Sequence, residues 1–230
     1  MPAAEIPANA LVILVGPSGC GKSTFARRRF RDTEVVSSDE CRRLVSDDEA
    51  NQAATAQAFE VFHAILRGRL SLGRLAVADA TNLSPGARAR LREEAARWGA
   101  PAVVLALDVP LATCLAQNQE RARRVPPEVI ELHYAQFAEA RGALAAEGYD
   151  AVHVVGPEAE VAIGPPVRKA PPPRTEPSEP GPPAAAVDAS APAPPGRVGL
   201  RSRTRPVGGA PRPSGEAGGG GRGPGWKPGG

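Results

Sequence analysis

Three observations predict an α/β fold in which helices cover both faces of a parallel sheet. Short β-type runs alternate with helical stretches through residue 155, the order that builds parallel sheets through helical crossovers. The runs are almost wholly apolar, as strands buried on both faces are. Polar clusters follow them, SSDE after the second, DATN after the third and DVP after the fourth. In such sheets ligands gather beyond the carboxyl ends of the strands.

Residues 11–15, LVILV, form the first strand, and the eight residues after it, GPSGCGKS at 16–23, fit the pattern G-x-x-x-x-G-K-[ST] in full. A helix opens at Lys22 and runs to 31, ahead of a short strand at 34–36. Ser37, Ser38 and Asp39 then open a helix over 39–45, with Ser37 and Glu40 at capping-box spacing. A long helix over 53–72 leads to the third strand at 75–78. Pro85, suited to a first helical turn, opens a helix to 98. The fourth strand is 102–107. Helices at 111–119 and 127–147 flank Val125, Pro126 and Pro127, which break the chain between them, and the last strand is 149–155.

From Pro157 onward the composition changes: 33 of the last 74 residues are Pro or Gly, a level at which a chain reads as disordered. The expected organisation is one domain over 1–156, long enough for one core, and a disordered Pro/Gly/Ala-rich tail over 157–230. The tail holds 10 Lys/Arg and 6 Asp/Glu of the chain's 28 and 25, leaving 18 and 19 in the domain. The basic balance therefore belongs to the tail. Cys20, Cys41 and Cys114 are far apart, odd in number and in no metal-ligand spacing, which supports neither a disulfide framework nor a zinc site. No apolar stretch reaches membrane-spanning length and the N-terminus lacks a signal-peptide pattern, so a cytoplasmic protein is expected.

The glycine-rich loop carries the chemistry. Glycines at 16, 19 and 21 let successive backbone N–H groups turn inward on phosphates, with Pro17, Ser18 and Cys20 between them. Lys22 reaches the β and γ phosphates, the Ser23 hydroxyl is offered to Mg²⁺, and the helix opening at Lys22, with Thr24 in its first turn, adds the positive end of its dipole. A nucleoside triphosphate, ATP with Mg²⁺, is the expected ligand.

Asp39 and Arg42 admit two readings. Capping and the helix dipole explain an aspartate at a helix start. Alternatively Asp39 is a general base for an attacking hydroxyl, and Arg42, three residues on and on the same face, holds an acceptor phosphate. Asp79 ends an apolar strand, where it either caps or supports Mg²⁺ and its water; Asn82 turns the chain. Gln117, Arg121 and Arg124 are spaced to share one helix face, with Arg123 beside them. They are either a solvated basic face or a hinged lid over the triphosphate. His63, His133 and His153 lack a second ligand at useful spacing and read as structural or surface residues.

The ordered series GPSGCGKSTFA, EVVSSDECRRLVSDDEANQAAT, HAILRGRLSLGRLAVADATN and the arginines of 121–124 resembles the kinase domain of bacterial polynucleotide kinase-phosphatase, over residues 10 to 155. The resemblance implies an adenylate-kinase-like P-loop NTPase fold with an arginine-bearing lid. It also implies transfer of the ATP γ-phosphate to a 5′-hydroxyl end of RNA or DNA. Lys22 and Ser23 would hold ATP·Mg²⁺, Asp39 would be the base, Arg42 would grip the acceptor and Asp79 would support the site. Arg121 would be the lid arginine, with Arg123 and Arg124 near the nucleotide.

Two departures stand against it. Gln117 occupies a position where the family usually has an arginine, and brings hydrogen bonds but no charge. A tail follows where relatives often carry a phosphatase domain, so repair would need phosphatase and ligase from other chains. Two other readings fit the residues: a kinase of a small hydroxylated molecule such as a nucleoside, sugar or antibiotic, and a non-catalytic ATP-gated nucleic-acid-binding module. After Pro195 the tail carries seven basic residues against Glu216, either a solvated linker or flexible phosphate contacts for a nucleic acid.

Overall fold

A computed structural model describes residues 4–120, 124–167 and 169. In chain order its strands are β1 (Ala4–Pro7), β2 (Leu11–Val15), β3 (Val35–Ser37), β4 (Ala76–Asp79), β5 (Ala102–Leu107), β6 (Ala151–Val155) and β7 (Val161–Gly164). The helices are α1 (Lys22–Arg29), α2 (Ser38–Ser46), α3 (Thr55–Ser71), α4 (Pro85–Arg97), α5 (Leu111–Gln119) and α6 (Pro127–Ala143). The expected α/β architecture is the observed one. Five strands pair in parallel in the order β3-β4-β2-β5-β6.

The central strand explains why the sheet needs two covers. Every residue of β2 is fully buried, and its alternating side chains enter two different cores. Leu11, Ile13 and Val15 meet α3 and α4 through Phe62, Leu66, Leu91 and Ala95. Val12 and Leu14 meet α1 and α5 through Phe25, Ala26, Phe30 and Cys114. Burying a Leu, Ile or Phe side chain is worth about 1.5–3 kcal/mol. Both cores therefore press on the strand that feeds the glycine-rich loop, and hold its exit still.

Two expectations are corrected. The domain does not end at 156: β7 follows, and pairs in parallel with β1 in the register Ala4↔Val161 to Pro7↔Gly164. Neither four-residue strand has a periodic signal of its own; the pairing across the whole domain makes them strands. Asn9 fastens the same junction, donating to the Val167 carbonyl and accepting from the Val167 N–H, each at 2.9 Å. Of the region assigned to the tail, residues 168 and 170–230 lie outside the described residues. Finally, α5 stops at Gln119, so Arg124 follows the helix and does not share its face with Gln117.

Candidate active site

The glycine-rich loop spans the end of β2 and the start of α1, and its geometry follows from its glycines. Gly19 and Gly21 stand at φ +83° and +85°, in the left-handed region that side chains avoid. A Cβ on Gly19 would come within 2.6 Å of the Cys114 carbonyl oxygen of α5. The Lys22 ammonium folds under the loop, donating to the carbonyls of Gly16 at 2.8 Å and Pro17 at 2.7 Å. Gly16 N–H donates to the Thr81 carbonyl at 3.2 Å, which ties the loop to the end of β4.

Sheet register assembles the polar residues at this edge. Ser37 of β3 stands opposite Asp79, the last residue of β4, so the opening of α2 lies beside the loop. Asp79 is 4% exposed. Burial raises its pKa; a hydrogen bond with Ser23 and the Lys22 charge oppose that rise, and Asp39 adds to it. The loop, Ser23, Asp79 and Asp39 thus share one electrostatic neighbourhood. Asn82 has a structural role: its amide donates to the carbonyls of Leu14 and Ala78 at 2.7 and 3.3 Å.

At the start of α2, Ser37 accepts from Glu40 N–H at 3.4 Å. The returning half of the capping box is replaced, since the Glu40 carboxylate takes Arg43 Nε at 2.9 Å. Asp39 and Arg42 form an ion pair at 2.6 Å, with Asp39 largely exposed and Arg42 buried. The same Arg42 nitrogen donates to the Glu49 carbonyl at 3.1 Å. Its Nε, also buried, has no hydrogen-bond partner among the described residues.

Gln117 of α5 borders the loop: its Oε1 lies 3.5 Å from where a Gly21 Cβ would stand. Gln117, Gly21, Thr24, Phe25, Arg28, Glu120, Pro157 and Glu158 line a cleft of about 360 Å³. Arg121 and Arg123 lie outside the described residues; Arg124 is exposed. The ends of the arginine segment are pinned, because the Asn118 amide donates to the Val125 carbonyl at 2.8 Å and accepts from its N–H at 2.9 Å.

Two groups at the site escaped the reading of the sequence. His133 of α6 hydrogen-bonds Ser18 of the loop, Oγ to Nδ1 at 3.0 Å, and burial together with Lys22 lowers its pKa. A lone histidine gives no signal for such a contact. Pro157 and Glu158 were assigned to the tail by composition. Their only signature is the pair of acids at 158 and 160, opposite in charge to Arg27, Arg28 and Arg29.

A central parallel strand, a phosphate-cradling loop at its carboxyl end and a helix opening on that loop define a nucleotide-binding P-loop domain. More particularly, the chain belongs to the AAA domain family, which matches residues 11–144. Among solved structures it is similar to a gluconokinase from Sinorhizobium meliloti 1021, at 15% identity and TM-score 0.42, covering 66% of this chain and 85% of that one. It is similar to the Pnkp1/Rnl/Hen1 complex at 22% identity and TM-score 0.42, over 55% of this chain and 42% of that chain. It is also similar to Chaetomium thermophilum Kti12 in complex with ADP-AlF3, at 17% identity and TM-score 0.44, covering 63% and 88%. Among the described residues no helix is long and apolar enough to cross a membrane.

Proposed function

We propose that this protein transfers the γ-phosphate of ATP to a 5′-hydroxyl end of RNA or DNA. The observation that carries the reading is the Asp39–Arg42 pair: a solvent-facing carboxylate tied at 2.6 Å to a buried arginine, whose Nε has no partner among the described residues. Asp39 accepts the proton of the acceptor hydroxyl as its oxygen attacks the γ-phosphorus and ADP departs. Arg42 takes the phosphate 3′ to the terminal nucleoside. Lys22 offsets charge on the transferring group, and the same task is assigned to Arg121, with Arg123 and Arg124 as further nucleotide ligands.

The residues fit Mg²⁺ delivered with the nucleotide. Among the described residues no group of three or more His, Cys, Asp or Glu could hold a metal alone. The Ser23 hydroxyl, with Asp79 in the same electrostatic neighbourhood, matches a cation that keeps its waters and takes few protein oxygens beside phosphates. Bound there, Mg²⁺ would neutralise the β and γ oxygens. The cleft bounded by Gly21, Thr24, Gln117 and Pro157 adjoins the loop where the nucleoside half of ATP belongs.

Labelled transfer from γ-³²P ATP to a 5′-hydroxyl oligonucleotide tests the reading. Asp39→Asn lowers the rate by about 10²–10⁴-fold, and Arg42→Ala by about 100-fold at subsaturating acceptor. A second reading, a small hydroxylated acceptor such as a nucleoside, sugar or antibiotic, uses the same loop and Asp39 but offers Arg42 no phosphate, so Arg42→Ala would scarcely change its rate. A small hydroxylated acceptor would then be labelled while oligonucleotides are not. Product that survives Asp39→Asn undiminished would remove the base from both readings.

A further inference from the structure

We propose that Arg29 is a positioning residue for ATP, holding the turn at 156–160 against α1 and so fixing the wall on which the nucleoside rests. The proposal depends on the ATP-donor reading above and is indifferent to the acceptor.

Arg29 stands on the last turn of α1 with its side chain 19% exposed. Its Nε donates to the Ala159 carbonyl at 2.9 Å and its Nη2 to the Glu158 carbonyl at 3.2 Å. The same Nη2 meets the Glu160 carboxylate at 3.1 Å. One planar fork thus grips three successive residues, two of them by backbone, and a guanidinium turned away loses several bonds together. The Arg28–Glu158 pair at 3.2 Å is different, with both side chains more than half exposed. Solvent screens such a pair to little effect.

The held turn is fixed from two sides. Ala159 N–H donates to the Gly156 carbonyl at 3.2 Å, closing the turn, and Ala4 N–H donates to the Glu160 carbonyl at 2.9 Å, where β7 begins to follow β1. Without Arg29 the turn would keep its sheet anchor and only the exposed Arg28–Glu158 pair to α1. Pro157 and Glu158 of this turn line the same cleft as Gly21, Thr24 and Gln117. Helix α1 therefore sets both halves of the donor site: its first turn meets the phosphates and its last turn holds the nucleoside wall. Eight helical residues fix the distance between them.

The test compares two ligands on the full chain by calorimetric titration with Mg²⁺ present: ATP, and inorganic tripolyphosphate, which needs the loop alone. In Arg29→Met the ATP affinity falls about 10-fold while tripolyphosphate affinity stays within about twofold. Arg29→Lys, which keeps a charge for Glu160 but not the two carbonyl bonds in one plane, falls between. Equal loss of both ligands, as a loosened domain would give, overturns the proposal, as does no loss of either. Wild type binding ATP no more tightly than tripolyphosphate overturns it too, because the cleft would then add nothing. The expected split in a protein that labels no oligonucleotide supports the role of Arg29 and sinks only the polynucleotide reading.

Discussion

On one face of the central sheet α1, α5 and the β1–β7 pair close over Val12, Leu14, Val103 and Leu105. On the other, α2, α3 and α4 close over Leu11, Ile13, Val15 and Val104. The first face gathers its site from distant segments: the loop at 16–23, Gln117, His133 and the turn at 156–160. The second carries Asp39 and Arg42 on one turn of α2, backed at once by α3. A site written in one stretch needs only helix capping and spacing to form. A site spread over the chain needs the whole sheet in register, and is lost when any remote tie is cut.

The largest effect should come from breaking the first face at its tightest point. Gly19→Val puts a branched side chain at φ +83° and a Cβ within 2.6 Å of the Cys114 carbonyl oxygen, and neither backbone can yield cheaply. ATP affinity should fall at least about 1,000-fold, near 4 kcal/mol, in titration calorimetry. The α2 site should stay formed, so the far-ultraviolet circular dichroism spectrum should be unchanged. A variant that still binds ATP like wild type would show that the loop is not held against α5.

Next in size is cutting the remote tie itself by comparing chains ended at 156 and at 169. The shorter chain lacks β7, all three Arg29 contacts and the Asn9–Val167 pair. It strips Ala159 and Val161 from the core that holds Ile6, a residue buried completely in the full chain. The loss should be on the order of 3 kcal/mol in urea unfolding, with weaker ATP binding. Equal stability of the two chains would mean that the domain does end at 156.

That boundary shows what the sequence could carry. The loop, the five sheet strands and the Asp39–Arg42 turn were legible because each is specified by neighbours within a few residues: a glycine pattern, an apolar run, a capping serine. β1 and β7 were not, since AEIP and VAIG are too short for periodicity and acquire their form from each other across the domain. Proline and glycine after 156 pointed to a tail and masked a strand embedded at its start. His133 reads as a structural or surface residue because its partner, Ser18, is 115 residues away. Gln117 was singled out for the charge it lacks, and it does border the loop.

The smallest of these effects probes the second face through its own weak point, His63 on α3. The ring is 5% exposed, lies edge-on to Phe62 at 5.4 Å between centroids, and its Nδ1 has no partner among the described residues. Burial first, then the charges of Arg90 and Arg67, lower its pKa from 6.5 to about 4. The folded state therefore resists a proton that the unfolded state takes up below pH 6.5. Stability on this account is complete above that pH, is lost as pH falls toward 4, and levels off below. By pH 4.5 the cost should reach roughly 2–3 kcal/mol. His63→Phe removes the titrating group within an aromatic cluster, and should be at least as stable as wild type at pH 7.5. Urea midpoints at pH 7.5, 6.5, 5.5 and 4.5 should fall less steeply for the variant. Parallel curves would mean that the ring takes up its proton in the folded protein, and that α3 is more open than its packing against Phe59 and Phe62 implies.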